Sequence, residues 1–345
     1  MYENIGIDLG ASRIVVSAAG EGVLSAVPSV AAIRRQDGSF LGIGEDADRC
    51  ASEGEGVVLR HLFRESMVAP EFTCAAIAHS LVRHGADPKD GGVFFSIPCG
   101  FGEVEESALA EMATQAGVED AYFVYSPLAA LVGNGLDPAT DAVIVDIGAM
   151  RTNMMAVCHG RIFGKKTYPV GGESFDRAII DYLLRKRGIR VTAETAETVK
   201  IRIGTVWVGN EKRVIDVPGR DATNGDYCTV RISSEEMFTA LEEPMASLIE
   251  GVCETITKIP PDCVQDVFDT GILLAGGGCL LEGIDKMIGG VTGVNASRLS
   301  DPRETVALGL AALADDNKSL KLTGTRNISR YIMKTSALPR RGIEV

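Results

Sequence analysis

One pattern occurs twice in this chain and constrains its fold more than any other feature. Near the start, Ile5-Gly6-Ile7-Asp8-Leu9-Gly10 runs through Ala11-Ser12-Arg13 into the apolar stretch Ile14-Val15-Val16. Far downstream, Ala142-Val143-Ile144-Val145-Asp146-Ile147-Gly148 runs through Ala149-Met150-Arg151-Thr152 into Met154-Met155-Ala156-Val157. Each reads as a buried strand, a tight Gly-bearing turn and a second strand. The two Asp residues stand 138 positions apart, about the length of one domain. The chain therefore reads as two related domains that open with the same hairpin, a count that 345 residues accommodate.

A third Gly cluster follows another apolar strand: Ile272-Leu273-Leu274-Ala275, then Gly276-Gly277-Gly278, then a helical pattern over residues 280–288. Between these landmarks lie amphipathic helices. One over 104–116 stops at Gly117; another over 175–187 stops at Gly188, with Arg185, Lys186 and Arg187 complementing the helix dipole. Ser233 and Glu236 form a capping box that opens a long helix, which Pro244 kinks or breaks. Strands mixed with helices in this order specify an α/β fold.

Turns built of Gly and small residues let successive backbone N–H groups point at one anion, with no Cβ in the way. An Asp at the end of the preceding strand can hold Mg²⁺, usually through water, beside those phosphates. Two such turns would clamp a triphosphate, and the Gly276-Gly277-Gly278 unit could lay its backbone against a base. A lone Asp-x-Gly is an ordinary β-turn. Two copies after buried strands, with a triple Gly a domain length later, carry more weight.

Gly makes up 39 of the 345 residues, about 11% against ~7% in average usage, in keeping with close backbone approach to a ligand. The formal charge of −13 repels nucleic-acid phosphate, so no nucleic-acid partner is expected. That charge is uneven: residues 317–345 hold seven Lys or Arg and a single acid, Glu344. The eight cysteines show no Cys-x-x-Cys, and His61, His79, His84 and His159 show no metal or triad spacing. Free thiols in a reducing cytoplasm are expected, not a disulfide framework or a zinc site. Met150, Met154 and Met155 read as core packing. No apolar run reaches the ~18 residues needed to span a bilayer, and the start does not read as a signal peptide.

Taken in order, these phrases resemble the actin, heat-shock-chaperone and sugar-kinase ATPase superfamily, and within it the bacterial actins of the MreB type. The resemblance covers about residues 4–314. It includes residues 21–24 and 28–33, Ile97-Pro98, residues 127–130 with Gly133, Val170-Gly171-Gly172-Glu173 with Phe175-Asp176, residues 197–204, Leu274-Ala275-Gly276-Gly277-Gly278, and Asp301-Pro302 before an Ala-rich helix.

The resemblance implies an α/β, actin-like (ribonuclease H-like) two-lobed fold with nucleotide in the central cleft. The first lobe is expected at 1–141 plus 301–316, with a small subdomain at roughly 31–60; the second at 142–300, with a small subdomain at roughly 176–240; and a basic tail at 317–345. Asp8, Gly10, Ala11, Ser12 and Arg13 match the first phosphate loop, and Asp146, Gly148, Ala149, Met150 and Arg151 the second. Gly171 and Gly172 belong to the same nucleotide set, and Gly276, Gly277 and Gly278 match the adenine-side loop. Glu197 and Lys200, on one helix face, match positions that embrace purine and ribose. The implied ligand is ATP with Mg²⁺, the metal held through water by Asp8 and Asp146.

Two departures bear on activity. The family's second loop runs Asp-x-Gly-Gly-Gly-Thr-Thr, whereas Ala149 and Met150 here replace Gly and Arg151 replaces Thr. Met does not readily take positive φ, so this loop is expected to hold a different shape or recede from the phosphate. Arg151 could reach the γ-phosphate as a charged fork, or turn to solvent or to an acid elsewhere. MreB-type proteins also carry Glu-Glu-Pro, whose second Glu orients or activates the attacking water; this chain has Tyr125-Ser126-Pro127. Ser126 cannot serve as a carboxylate base, and a positioned base supplies ~10²–10⁴ in rate. Hydrolysis is expected to be slow or absent, and Ser126→Glu to raise turnover if the rest of the site is intact.

Family members commonly insert into membrane through an amphipathic N-terminal helix or an apolar loop. Residues 1–4 lead straight into the first strand and residues 85–90 are polar, so direct insertion is not expected. The basic tail leaves two contacts open, an anionic membrane surface at ~1 kcal/mol per basic residue or an acidic neighbour; alone it reads as solvated and partly disordered. The leading expectation is a cytoplasmic bacterial actin that polymerises head to tail into filaments and serves cell shape or intracellular positioning. Two alternatives stay open: a non-polymerising nucleotide-sensing adaptor that regulates another actin homologue, and an active phosphotransferase. Against the latter, the chain has no sugar-kinase substrate phrase.

Overall fold

The computed structural model describes residues 2, 4–53, 57–61, 70–86, 91–207, 212–315 and 326–327. The chain divides into two compact units, the first of residues 1–97, 101–125 and 307–345, the second of residues 98–100 and 126–306. In the first unit it runs β1 (Ile5–Leu9), β2 (Arg13–Ala18), β3 (Gly22–Pro28), β4 (Val30–Arg34), β5 (Phe40–Ile43), α1 (Glu45–Glu53), β6 (Val57–His61), α2 (Pro70–Arg83), β7 (Gly92–Ile97), α3 (Glu103–Gln115) and β8 (Asp120–Tyr125). The second unit follows with α4 (Ser126–Gly133), β9 (Ala142–Ile147), β10 (Thr152–Cys158), β11 (Arg161–Tyr168), α5 (Gly172–Arg187), β12 (Ile189–Arg190) and α6 (Ala193–Ile203). It continues with β13 (Val214–Asp221), β14 (Tyr227–Ser233), α7 (Ser234–Ala240), α8 (Glu242–Ile256), α9 (Val264–Thr270), β15 (Ile272–Ala275), α10 (Ile284–Thr292) and β16 (Ala296–Arg298). The chain then returns to the first unit through α11 (Thr305–Asp315) and β17 (Arg326–Asn327). The second unit thus begins at Ser126 and not at 142, because α4 packs on β9, β10 and β15.

The main sheets of the two units share one plan. Their strand orders are β17-β8-β7-β1-β2-β3 and β11-β10-β9-β15-β16. In each, an antiparallel meander (β1-β2-β3 or β9-β10-β11) continues, beside its first strand, into parallel neighbours (β7 and β8, or β15 and β16). Parallel pairing needs crossover connections, whose helices cover the sheet, so a central strand is apolar along its whole length. Every residue of β9 and β10 is buried accordingly. Val143, Val145 and Met154 pack there with Phe175, Ile179 and Leu183 of α5 and Leu248 and Val252 of α8. The first unit gathers Ile5, Ile7, Ile14 and Phe95 with Leu109 and Met112 of α3. Each unit adds a three-stranded sheet, β5-β4-β6 in the first and β12-β13-β14 in the second.

Local signals place most element ends. Gly117 takes φ +95 just beyond α3, and α5 closes on Gly188 at φ +66, a left-handed cap. In the capping box the Ser233 N–H donates to Glu236 Oε2 at 2.9 Å. The long helix expected beyond it is two, α7 and α8, with Pro244 in the first turn of α8, where a missing N–H goes unnoticed. The helix expected over 280–288 starts only at Ile284. A 3₁₀ turn takes Gly277–Leu280, and the Val206 N–H then holds Glu282 by its carbonyl at 2.9 Å, ahead of Gly283 at φ +82.

Three expectations need correction or restriction. Cys158 and Cys263 are not free thiols but are paired as a disulfide, their Cα atoms 6.1 Å apart across 105 residues of sequence, a separation at which no local pattern betrays the pairing. Met154 and Met155 are core, but Met150 is only half-buried, in a loop. In the basic tail, Arg326 and Asn327 form β17 and pair antiparallel with Phe123 and Tyr122. The rest of the tail, and residues 87–90 of the polar loop, lie outside the described residues. Among the described residues no helix is long and apolar enough to cross a membrane.

Candidate functional site

The two hairpin turns close alike. A Cβ on Gly10 would lie 2.7 Å from the carbonyl oxygen of Arg13, and one on Gly148 would lie 3.0 Å from that of Arg151. The first turn therefore excludes a side chain at Gly10, and the second is tight at Gly148. The Gly148 N–H bonds the Arg151 carbonyl at 2.9 Å. Among the described residues only His159 and Asp301 have positive φ outside glycine, so Ala149, Met150 and Arg151 keep ordinary backbone conformations. Met150 thus sits in the turn without the positive φ that glycine would permit. Asp-x-Gly-Ala-x-Arg is common to both turns, and only its Gly faces the crowded carbonyl.

Parallel α/β sheets present ligand-binding loops at the carboxyl ends of their strands. Asp8 stands near that end of β1 and accepts a hydrogen bond from Ser96 Oγ of β7. Asp146 stands near that end of β9, opposite Asn153 in the antiparallel register. It is buried at the head of a polar chain. Ser126 Oγ donates to Asp146 Oδ2 at 2.7 Å, and Asn153 Nδ2 donates to Ser126 Oγ at 3.0 Å. Asn153 Oδ1 accepts from Thr167 Oγ1 at 2.7 Å and from the Cys99 N–H at 3.2 Å, while Thr167 Oγ1 accepts from the Gly100 N–H at 2.8 Å. Burial pushes the Asp146 carboxyl above its ordinary range, with Ser126 and Asn153 opposing; no Lys or Arg among the described residues pairs with it.

The Gly-rich loop after β15 packs flush on this strand end, since Ala275 lies beside Asp146 in the parallel register. Gly276 has φ +78, and a Cβ there would fall 2.3 Å from the Ile147 carbonyl oxygen and 2.7 Å from Asp146 Oδ1. A Cβ on Gly278 would fall 2.3 Å from Ile147 Cγ2, whereas Gly277 has nothing nearer than Arg303 Nε at 3.7 Å.

Gly171 and Gly172 grip the turn itself. The Gly172 N–H bonds the Gly148 carbonyl at 3.0 Å, and the Glu173 N–H bonds that of Ala149 at 2.7 Å. The start of α5 thus spends on the turn N–H groups that a free helix end would offer to an anion. Lys200 of α6 reaches the same place, its Nζ 2.8 Å from Asp176 Oδ1 and 3.2 Å from the Gly172 carbonyl oxygen. Glu197 is exposed, and the Lys200 ammonium beside it on α6 goes to Asp176 of α5. Burial raises the Asp176 carboxyl despite Lys200. Arg151 is half-buried with no side-chain hydrogen bond or ion pair among the described residues, and burial lowers its guanidinium from the ordinary value. It meets no acid.

A family model described as MreB/Mbl protein matches residues 2–322 of the chain. The chain belongs to the MreB/Mbl family. The cell shape-determining protein Mbl of Bacillus cereus is 29% identical over 322 residues, which cover 91% of this chain and 96% of the relative. MreB5 of Spiroplasma citri, solved bound to ADP, shares 25% identity at a TM-score of 0.84, covering 92% of this chain and 98% of that one. MamK, solved as a double helical filament, reaches a TM-score of 0.76 at 21% identity, covering 91% and 98%, a likeness of fold. This MreB/Mbl chain is a bacterial actin-like cytoskeletal protein, and its α/β architecture is the actin-like one expected from the sequence.

Sequence reasoning passed over Asn153, Thr167 and Asp176 in this MreB/Mbl member. Asn153 left a signal: it is a polar residue in an apolar strand, and the hairpin register sets it across from Asp146. Nothing local marks Thr167, and Asp176 was noticed only as part of a family phrase.

Proposed function

We propose that this MreB/Mbl protein binds ATP with Mg²⁺, polymerises into cytoplasmic filaments, and hydrolyses its nucleotide slowly or not at all. The observation that carries this reading is a pair of incomplete charges at one hairpin: among the described residues Arg151 has no anion and the buried Asp146 of β9 has no cation. Buried charges are costly until paired. A phosphate would complete Arg151, and a hydrated Mg²⁺ held by Asp146 and Asp8 would neutralise phosphate charge. The backbone of residues 10–13 and 148–151 would take phosphate oxygens, and Glu197 with the Gly276-Gly277-Gly278 loop the base and ribose. Gly171, Gly172 and Lys200 then act by fixing the turn.

Slow hydrolysis rests on Ser126, a hydroxyl already given to Asp146 where a carboxylate base would stand. Filament formation rests on family membership and on a fold shared with MamK, through a head-to-tail interface that does not close. The basic residues of 317–345 suit an anionic membrane surface or an acidic neighbour. Calorimetry with ATP and Mg²⁺, electron microscopy of the same sample and phosphate release test the three parts. Tight binding with filaments and little phosphate supports the reading. A nucleotide-bound monodisperse monomer supports the adaptor alternative, and indifference to every nucleoside triphosphate overturns both.

A further inference from the structure

We propose that Cys158, Cys263, His159 and Asp141 form a metal site in the second unit, suited to zinc and separate from the phosphate turn. β10 ends at Cys158 and turns through His159 and Gly160 into β11, with Cys158 opposite Arg161. Both turn residues have positive φ, +47 and +69, as in the primed turns that join two-residue hairpins. Consecutive side chains along a strand point to opposite faces. The left-handed backbone at His159 breaks that alternation, and its imidazole converges with the Cys158 sulphur.

Asp141 precedes β9 and holds the turn, its Oδ1 accepting the His159 N–H at 2.6 Å and its Oδ2 3.5 Å from His159 Nδ1. Cys263, immediately before α9, completes the group. One donor atom from each of the four residues lies within 4.8 Å of every other. Zinc ligands at ~2.0–2.3 Å from a tetrahedral centre stand ~3.3–3.8 Å apart. The two bonded sulphurs must therefore separate on reduction, while the other donors lie no farther than 4.8 Å from each other and from the sulphurs. Two thiolates, an imidazole and a carboxylate are donors zinc accepts. Asp262 Oδ2 lies 3.9 Å from His159 Nε2, beyond hydrogen-bond distance but close enough for a small shift to bring a carboxylate onto the far nitrogen of a metal-bound imidazole. Cys158 and Cys263 are buried while the His159 side chain is 61% exposed, which leaves the ion an approach.

The structure joins the two sulphurs to each other. Asp141 holds the turn through one carboxylate oxygen, and its second oxygen with the His159 imidazole is left facing the sulphur pair. A thiol reductant that is itself oxidised to a disulfide returns Cys158 and Cys263 to the dithiol, with two electrons and two protons gained. Both sulphurs then turn to the metal, and binding releases the two thiol protons to solvent. The bound ion would tie the β10–β11 turn, the start of β9 and the start of α9 together.

The test uses the full chain, purified with a phosphine reductant, stripped by a chelator and dialysed against Zn²⁺. One zinc per chain is expected, measured by elemental mass spectrometry, with loss of the ion in Cys158→Ser and Cys263→Ser and its retention in Cys228→Ser. His159→Ala should weaken binding about tenfold or more. Co²⁺ in place of Zn²⁺ should show thiolate-to-metal charge transfer that either Cys substitution diminishes. Where the Cys variants do not fold, His159→Ala and Asp141→Asn carry the same comparison. Retention of zinc by these variants at parental affinity overturns the site. So does a Cys158–Cys263 disulfide recovered from cells lysed into an alkylating agent.

Discussion

Ser126 Oγ donates a 2.7 Å hydrogen bond to Asp146 Oδ2, with both residues buried. The Ser126 hydroxyl thus anchors a buried carboxylate. Ser126→Ala removes that donor and leaves Asn153 Nδ2 without its acceptor, a loss of about 1–3 kcal/mol. Urea unfolding should show it; a change below about 0.5 kcal/mol would mean the bond adds nothing. Ser126→Glu would set a second carboxylate against Asp146, and like charges at short range disfavour ionisation of both. Any gain in phosphate release should therefore come with lower stability.

The pH dependence of stability follows from Asp146. Burial holds its carboxyl above the ordinary 3.8, so the folded chain keeps this proton more tightly than the unfolded one. The group's contribution is fully present below 3.8 and falls as pH rises through the raised folded value; above it the bare carboxylate is a net cost. Asp146→Asn keeps an acceptor for Ser126 and removes the charge. Denaturation should find it more stable than the parent at about pH 7, with the difference gone at about pH 3. An equal difference at both values would contradict this account. The same proton competes with Mg²⁺, so affinity for Mg²⁺ with ATP should climb with pH through that window.

Features that depend on neighbours a few residues away were legible in the sequence: the paired hairpins, the stop of α5 at Gly188, the Ser233–Glu236 box. The polar chain from Gly100 through Thr167, Asn153 and Ser126 to Asp146 was not, because it joins five separate segments whose facing is set by packing. Lys200 shows the limit of a local rule. Spacing offered Glu197, but the packing of α6 on α5 supplied Asp176 at closer range. Met150 looked hostile only beside the family's glycines; the first turn of this chain, Gly10-Ala11-Ser12, already shows that the shape needs one glycine. The convergence of Cys158 with Cys263 had no sequence signal at all.

Gly276→Ala should cost about 3 kcal/mol or more, because it combines left-handed strain with a clash. The new Cβ would meet the Ile147 carbonyl oxygen at 2.3 Å, a backbone atom that cannot rotate away. Gly188→Ala is the control: φ is similar at +66, but nothing lies within 4 Å of its Cβ. It should lose only about 1–2 kcal/mol. Thermal or chemical denaturation of the pair separates strain from contact, and equal losses would show that the Gly276 loop yields.

Arg151→Met keeps much of the side chain's length and removes its charge. The apo protein should be as stable as the parent or more so, since a half-buried cation without a partner is lost. Nucleotide should bind more weakly. Hydrogen bonds to charged groups contribute about 1.5–3 kcal/mol, equivalent to a roughly 10- to 150-fold change in affinity. Calorimetry with ATP and ADP in parallel locates the contact. A loss confined to ATP places the guanidinium on the γ-phosphate, and an equal loss for both places it nearer the ribose. Unchanged affinity for both would mean that the charge faces no phosphate, which would leave only the backbone of residues 148–151 as the phosphate cradle.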